Sequence, residues 1–260
     1  MIEERPWQRH VHAEPVWGTV VTFDVRGPDL DDDVVDHACR EAAAELHRVD
    51  AWLSPFRADS VISAIRTGLP VTDAPEPVRE VLGACADLAV RTQGAFDVWR
   101  QPGGVDPCGF VKGWGADRAA TILLDHGLAN VSVNAAGDVT CRGESAPGSG
   151  GWRLGVADPR DRQQILIDIL VTDAHLATSG RYEQGNHVRD PRTQQPVTGV
   201  DSATVLCGDG GTADALATAL LVLGSAGLAR LSDLPISALV VSAGHLWTLG
   251  PGWEGAPATP

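Results

Sequence analysis

Val35, Cys39, Ala42, Leu46, Val49 and Leu53 recur at steps of three and four, the spacing that lays side chains along one face of an α-helix. Asp29, Asp31, Asp32 and Asp33 stand just ahead, placing carboxylates at the positive end of that helix. Before them, Val16 to Val25 is dense in Val, Thr and Phe and predicts a strand. A second helical pattern follows Pro75 and Pro77, with Val78, Val81, Leu82, Cys85, Leu88 and Ala89 on one face. A third helix is expected from about Lys112 to His126, stopped by Gly127. A fourth is expected over about 212–223, with Thr212 as its N-cap and Gly224 at its end. Strands are expected at 128–134, 152–157, 164–171 and 203–207, and a closing hairpin at Ser237–Ser242 and His245–Leu249. Because helices and strands mix without regular βα alternation, the order predicts an α+β fold and not a doubly wound sheet.

Residues 142–151 read as a loop inside one core. One domain is therefore expected over 16–249, with an N-terminal extension at 1–15 and a Pro, Gly and Ala-rich tail at 250–260. Apolar residues at 43% and charged residues at 21% exclude a disordered, collagenous or coiled-coil chain. The 34 acidic against 20 basic residues give a net charge of -14. That balance argues against nucleic acid or an anionic membrane surface as partner, since both are held by Lys and Arg. A phosphate ligand on such a chain calls for a metal to supply positive charge. Five cysteines, an odd number without a C-x-x-C pair, give neither a zinc site nor a disulfide framework. The longest uncharged stretches, Ala215–Ala229 and Leu234–Trp253, are broken by Gly, Ser or Pro, so no membrane span is expected. The opening Met1-Ile-Glu-Glu-Arg-Pro-Trp has no apolar core of a signal peptide, and a cytoplasmic location is expected.

Four constellations can carry chemistry. Asp214 and Thr218 lie four apart on the fourth helix, so a carboxylate and a hydroxyl face one point, a hard-oxygen pair suited to Mg²⁺. The alternative reading of the pair is an acid placed near a helix start to match the dipole, with Thr218 simply packed. Gly109, Gly113 and Gly115 allow close backbone approach around Lys112, either for a phosphate or flavin edge or as a glycine-rich helix start. His187, three residues before Asp190, is either a general base held by a carboxylate or a solvated loop residue. Asp97, ending Gly94-Ala-Phe-Asp97, either accepts from a bound base or ribose or belongs to a turn. Trp17 and Trp114 have glycine neighbours, a setting for stacking on a flavin or adenine as well as for core packing.

Taken in order, these segments resemble the ApbE family, the FAD:protein FMN transferases. Trp17-Gly18-Thr19 stands where the family has M-G-T, and Ser54-Pro-Phe56-Arg-Ala-Asp-Ser60 resembles its S-x-[YF]-x-x-x-S stretch. Gly94-Ala-Phe-Asp97 is similar to its G-A-F-D. Asp106, Gly109, Lys112, Gly113 and Asp117 keep the family's D-x-x-G-x-x-K-G-x-x-x-D spacing. Asn134-Ala-Ala-Gly137-Asp138 resembles N-x-G-G-D. Ser179-Gly180, then His187-Val-Arg-Asp190-Pro-Arg-Thr193-Gln-Gln-Pro196, resembles the block that follows, and Asp214-Ala-Leu-Ala-Thr218 with Leu223-Gly224 closes the series. The likeness runs over about 16–249. It departs at Trp17 for Met, at Ala136 and Gln194 for Gly, and at a missing Asn in the early Ser block, near which Arg66 stands.

The resemblance implies a single T-fold-like α+β domain with a mainly antiparallel sheet and packed helices. It implies Mg²⁺ held by Asp214, Thr218 and the Gly109 carbonyl. FAD would lie against Trp17, Phe56, Ala95, Phe96, Asp97, Asp106 and Lys112, with His187 as the base. The implied reaction moves FMN from FAD to a Ser or Thr hydroxyl in a flavinylation motif of an acceptor protein and releases AMP. Two other outcomes use the same residues: an FAD pyrophosphatase giving FMN and AMP, and a non-catalytic FAD binder.

Overall fold

The computed structural model describes residues 6–181 and 188–253. Its first two strands, β1 (Gln8–Val16) and β2 (Thr19–Gly27), form an antiparallel hairpin in register from Gln8 opposite Gly27 to Val16 opposite Thr19. The strand expected over Val16–Val25 is thus interrupted. Trp17 and Gly18 form a two-residue turn with φ of 56° and 70°, the left-handed pair that matches strand twist in tight hairpins. β1 comes from residues read as an extension. It is an edge strand whose His10, His12 and Glu14 give it no apolar signature.

Helix α1 (Asp32–Leu53) follows the apolar spacing, with the Asp31 carboxylate accepting from the Asp33 and Val34 amides at its start. α2 (Val61–Arg66), a short helix without a sequence signal, precedes α3 (Glu76–Arg91). α4 spans Cys108–Asp125, starting four residues before the expected Lys112. Strands β3 (Asn130–Ala135), β4 (Asp138–Arg142), β5 (Trp152–Asp158), β6 (Asp161–Val171), β7 (Ala174–Gly180) and β8 (Ser202–Cys207) follow. The chain continues through α5 (Gly210–Leu223), α6 (Ala226–Arg230), β9 (Ser237–Ser242) and β10 (His245–Leu249). The cap of α5 is Asp209, not the expected Thr212, whose amide donates 2.7 Å to the Asp209 carboxylate. Gly210 and Gly211 therefore sit inside the helix, where close packing needs them.

Eight strands form one sheet in the order β1-β2-β3-β4-β7-β8-β9-β10, every neighbouring pair antiparallel, and β5 and β6 form a separate hairpin. The α+β expectation holds. Phe23 and Val133 of the sheet pack with Leu46 of α1 and Leu123 of α4, while Val205 and Val240 pack with Leu216 and Leu220 of α5. A third cluster lies among the helices themselves, with Leu53, Val81, Phe110 and Trp114. The β5–β6 hairpin lays Trp152, Val156 and Ile169 on Val139, Leu176 and Leu239 of the sheet. Each large side chain so enclosed contributes about 1.5–3 kcal/mol, enough for these clusters to fix how the helices sit. Among the described residues no helix is long and apolar enough to cross a membrane.

Candidate active site

Helices α4 and α5 run past each other in opposite directions, Gly113 against Gly210 and Gly109 against Thr218. A Cβ on Gly113 would lie 2.0 Å from the Gly210 carbonyl oxygen, and one on Gly211 would lie 2.4 Å from the Phe110 ring. A Cβ on Gly109 would lie 3.2 Å from Thr218 Oγ1. Glycine at these positions lets the two backbones approach, and the approach brings Gly109, Lys112, Asp214 and Thr218 together. At Gly109 the backbone leaves helical geometry, with φ -81° and ψ 19°, so the first turn of α4 is kinked there.

Two almost wholly buried carboxylates converge on Lys112. Its ammonium bonds Asp138 of β4 and lies 4.0 Å from Asp214 Oδ1. Asp138 also accepts from the Thr178 amide at 3.2 Å. Asp214 accepts a backbone hydrogen bond from Gly113, but among the described residues its buried Oδ2 has no partner. Burial pushes the Asp214 carboxyl up to about 7, with Lys112 pulling it down and Asp138 pushing it further up. Two carboxylates sharing one ammonium leave an excess of negative charge in a poorly solvated corner. Thr218, one turn along α5, has its hydroxyl 3.1 Å from Ser179 Oγ. A carboxylate oxygen with no partner among the described residues, a hydroxyl and the carbonyl oxygen of Gly109 at the kink are hard oxygen donors, and they fit a divalent cation such as Mg²⁺.

Behind this corner lies a second polar network. Asp117 of α4 accepts from Thr140 Oγ1 at 2.8 Å, from Arg142 at 3.2 Å and from the Gly210 amide at 2.5 Å. His175, wholly buried on β7, has Nδ1 2.6 Å from Thr140 Oγ1. The Thr140 hydroxyl donates to Asp117 and lies against His175 Nδ1, and among the described residues the buried Nε2 of His175 has no partner. Burial raises the Asp117 carboxyl, but His175, Gly210 and Thr140 outweigh it and hold the group below the usual carboxylate range. Asp117 thus ties the start of α5 to α4. Asp138 and His175 were not among the residues singled out as site residues by sequence. Asp138 ends the Asn134–Asp138 block, whereas a lone His in Ala174-His-Leu-Ala carries no signal.

The remaining sequence-derived residues fall into different settings. Phe56 is 86% exposed. Ala95 is wholly enclosed and Phe96 nearly so, its ring beneath Gly109. Asp97 accepts from the Trp99 amide at 2.9 Å, as a turn residue does, and lies 3.6 Å from Arg100. Asp106 accepts from the Cys108 amide at 2.9 Å where α4 begins, and lies 3.8 Å from Arg66. Trp17 packs over Gly115, where a Cβ would lie 2.6 Å from its ring, and its buried indole N–H has no partner among the described residues. Trp114 is buried beneath the Arg118 guanidinium, 4.8 Å from the ring centre. Arg192 lies over Gly94, and Gln194 donates 2.8 Å to the Arg100 carbonyl, so the segment after 187 is tied to the 94–101 loop. His187 lies outside the described residues.

A family model, that of the ApbE family, matches residues 17–104 and 99–240. FAD:protein FMN transferase of Vibrio cholerae is 34% identical over 149 residues, 52% of this chain and 44% of that protein. The protein of the same description in Rhodobacter capsulatus is 34% identical over 131 residues, 47% of this chain and 25% of its own. The chain thus spans less than half the length of these relatives in the aligned regions. Among solved structures, flavin transferase ApbE from Vibrio cholerae superposes with a TM-score of 0.85 at 23% identity, covering 94% of this chain and 98% of that one. The ApbE protein of Thermotoga maritima gives 0.80 at 24% identity, covering 93% and 97%. These two likenesses establish the fold.

Proposed function

The chain belongs to the ApbE family, and from that premise we propose that it transfers FMN from FAD to a Ser or Thr hydroxyl of an acceptor protein, releasing AMP. The observation that carries this reading is Asp214 Oδ2, which has no partner among the described residues and is buried one turn from Thr218 and beside Lys112. Asp214, Thr218 and the Gly109 carbonyl would hold Mg²⁺, which when bound neutralises the pyrophosphate and the charge that develops on the leaving AMP. Lys112 supplies a second positive charge at the phosphates, held in place by Asp138. Phe56, exposed on its loop, offers a ring for stacking, while Asp97 and Asp106 keep carboxylate oxygens at the rim to accept from FAD hydroxyl or amino groups. Trp17, Ala95 and Phe96 act from beneath, fixing the hairpin turn and the start of α4 on which the ligand rests.

The acceptor oxygen attacks the FMN phosphorus, and the bond from that phosphorus to the bridging oxygen of AMP breaks. His187 takes the hydroxyl proton, so the new phosphoester forms without an unfavourable oxonium. Positioning carries most of the rate, as in other phosphoryl transfers.

In-gel flavin fluorescence tests this reading. Protein, FAD, Mg²⁺ and an acceptor with a flavinylation motif should give a fluorescent acceptor band that survives denaturation and vanishes with EDTA. Free FMN and AMP with no band would mean water is the acceptor and the chain is a pyrophosphatase. Intact FAD retained on the protein, without turnover in any acceptor, would make it a binder. His187→Ala should retain FAD and lose the band; transfer at the wild-type rate would remove His187 as the base.

A further inference from the structure

At the opposite end of α4 from the active site, three ligating side chains meet. His37 and Glu41 are four apart on α1 and share a face. His126, the C-cap of α4, comes against that face. The His37 and His126 rings stand at 90° with centres 5.2 Å apart, and His126 Nε2 lies 2.5 Å from Glu41 Oε2. One donor atom from each of the three falls within 4.8 Å of the others. From the geometry we propose that His37, Glu41 and His126 form a second metal site, for a borderline divalent ion such as Zn²⁺, which staples α1 to the end of α4.

The donor set decides the ion. Two imidazoles and one carboxylate match the N and O ligands of Zn²⁺ and its neighbours, whereas Mg²⁺ takes oxygens. A three-ligand zinc site leaves a fourth position for water, and here the outer side is open, since His37 and Glu41 are exposed. Tetrahedral bonds of about 2 Å set the donors about 3.3 Å apart, so small side-chain rotations must open the His126–Glu41 pair from its 2.5 Å while keeping His37 within reach. In the loaded site His126 carries its proton on Nδ1, so Nε2 gives its lone pair to the ion instead of a hydrogen to Glu41. Of the neighbouring charges, Arg48 is hydrogen-bonded to Glu45 while still drawing on Glu41 electrostatically, and Asp36 lies 3.5 Å from His10. Gly109 and His126 lie seventeen residues apart on one helix, which separates the two sites by roughly 25 Å and makes their loading independent.

The test is calorimetric titration of ZnCl₂ into untagged, EDTA-stripped protein in excess Mg²⁺, with thermal melting in parallel. Wild type should take up one equivalent of Zn²⁺, and its midpoint should rise because only the folded chain presents the three donors. Glu41→Gln and His126→Ala should each weaken uptake by at least about 10-fold and lose the midpoint rise. Glu41→Gln is a surface change of the same shape, so its metal-free midpoint should match wild type. Asp214→Ala should keep the zinc equivalent. Unchanged affinity in Glu41→Gln, loss confined to Asp214→Ala, or no uptake by wild type up to about 1 mM, roughly four or more decades weaker than structural zinc sites, would each overturn the proposal.

Discussion

Gly113 and Gly210 touch backbone to backbone: a Cβ on the first would lie 2.0 Å from the carbonyl oxygen of the second, and one on Gly210 would lie 2.3 Å from the Gly113 carbonyl oxygen. Alanine is the better helix former by about 1 kcal/mol, so in an uncrowded helix Gly→Ala stabilises. At Gly113 the sign should reverse. The helices must separate, and the expected loss is about 2–3 kcal/mol with metal-dependent transfer abolished, because Lys112 and Asp214 move apart. Gly83 of α3, where a Cβ meets nothing within 4 Å, is the control. Thermal melting of Gly113→Ala and Gly83→Ala should shift in opposite directions; a stabilised Gly113→Ala would disprove the contact.

Asp214→Asn should stabilise the metal-free fold while removing activity. The carboxyl is raised to about 7 in the fold, above its unfolded value of about 4. The folded chain therefore binds that proton more tightly, and this group's stabilisation is complete below about pH 4 and lost as pH rises towards 7. Asparagine imitates the neutral acid and has no such loss. In EDTA, the variant should match wild type near pH 4 and exceed it at pH 8 by on the order of 2–4 kcal/mol. A gap between the two melting curves that does not grow with pH would refute the buried-charge account. The same variant should fail the transfer assay, since an amide is a poor ligand for Mg²⁺.

The three departures from the family pattern at Trp17, Ala136 and Gln194 share a property that the sequence does not display: each has left-handed φ, 56°, 58° and 62°. Ala136 sits in the β3–β4 turn with Gly137, where glycine removes a steric penalty of about 1 kcal/mol. Ala136→Gly should raise the melting midpoint by a few degrees, the unfolded-chain entropy of glycine offsetting part of the gain. A lower midpoint would show that the turn carries no strain. Gln194→Gly differs, since it also removes the bond to the Arg100 carbonyl. It should leave the 188–197 segment easier to cut with trypsin at Arg189 and Arg192.

What could be read from sequence follows from periodicity. α1, α3 and the end of α5 carry apolar spacing or a stop glycine, and their placement holds. β4 and β7 were invisible because they form the floor of the site. Asp138, Thr140 and His175 are buried polar residues that break the apolar run a central strand normally shows. Asp214 and Thr218 were legible as a helical pair, and Lys112 as a lone cation among glycines. Their meeting with Asp138, Ser179 and His175 depends on strand pairing across the sheet, and no local spacing encodes it. The α5 cap was missed for a related reason: Gly210 and Gly211 read as a loop until the crossing with α4 gives them a role.

Arg66 occupies the neighbourhood of the missing Asn and makes a different kind of contact. Its Nε donates 2.8 Å to the Val105 carbonyl, one terminal nitrogen donates 3.0 Å to the Pro55 carbonyl, and the other lies 3.8 Å from Asp106. The side chain thus straps the loop carrying Phe56 to the segment that starts α4, its stem against Gly104. Removing it leaves two carbonyls to water and frees Phe56, a residue proposed to bind FAD and not to react. Arg66→Ala should therefore raise KM for FAD by about 10-fold, near 1.4 kcal/mol, with kcat close to wild type. Arg66→Lys should restore little, because an ammonium cannot span two carbonyls and a carboxylate in one plane. If instead kcat fell and KM held, Arg66 would be acting on the reacting phosphate through Asp106 and the start of α4, and the strap would be incidental.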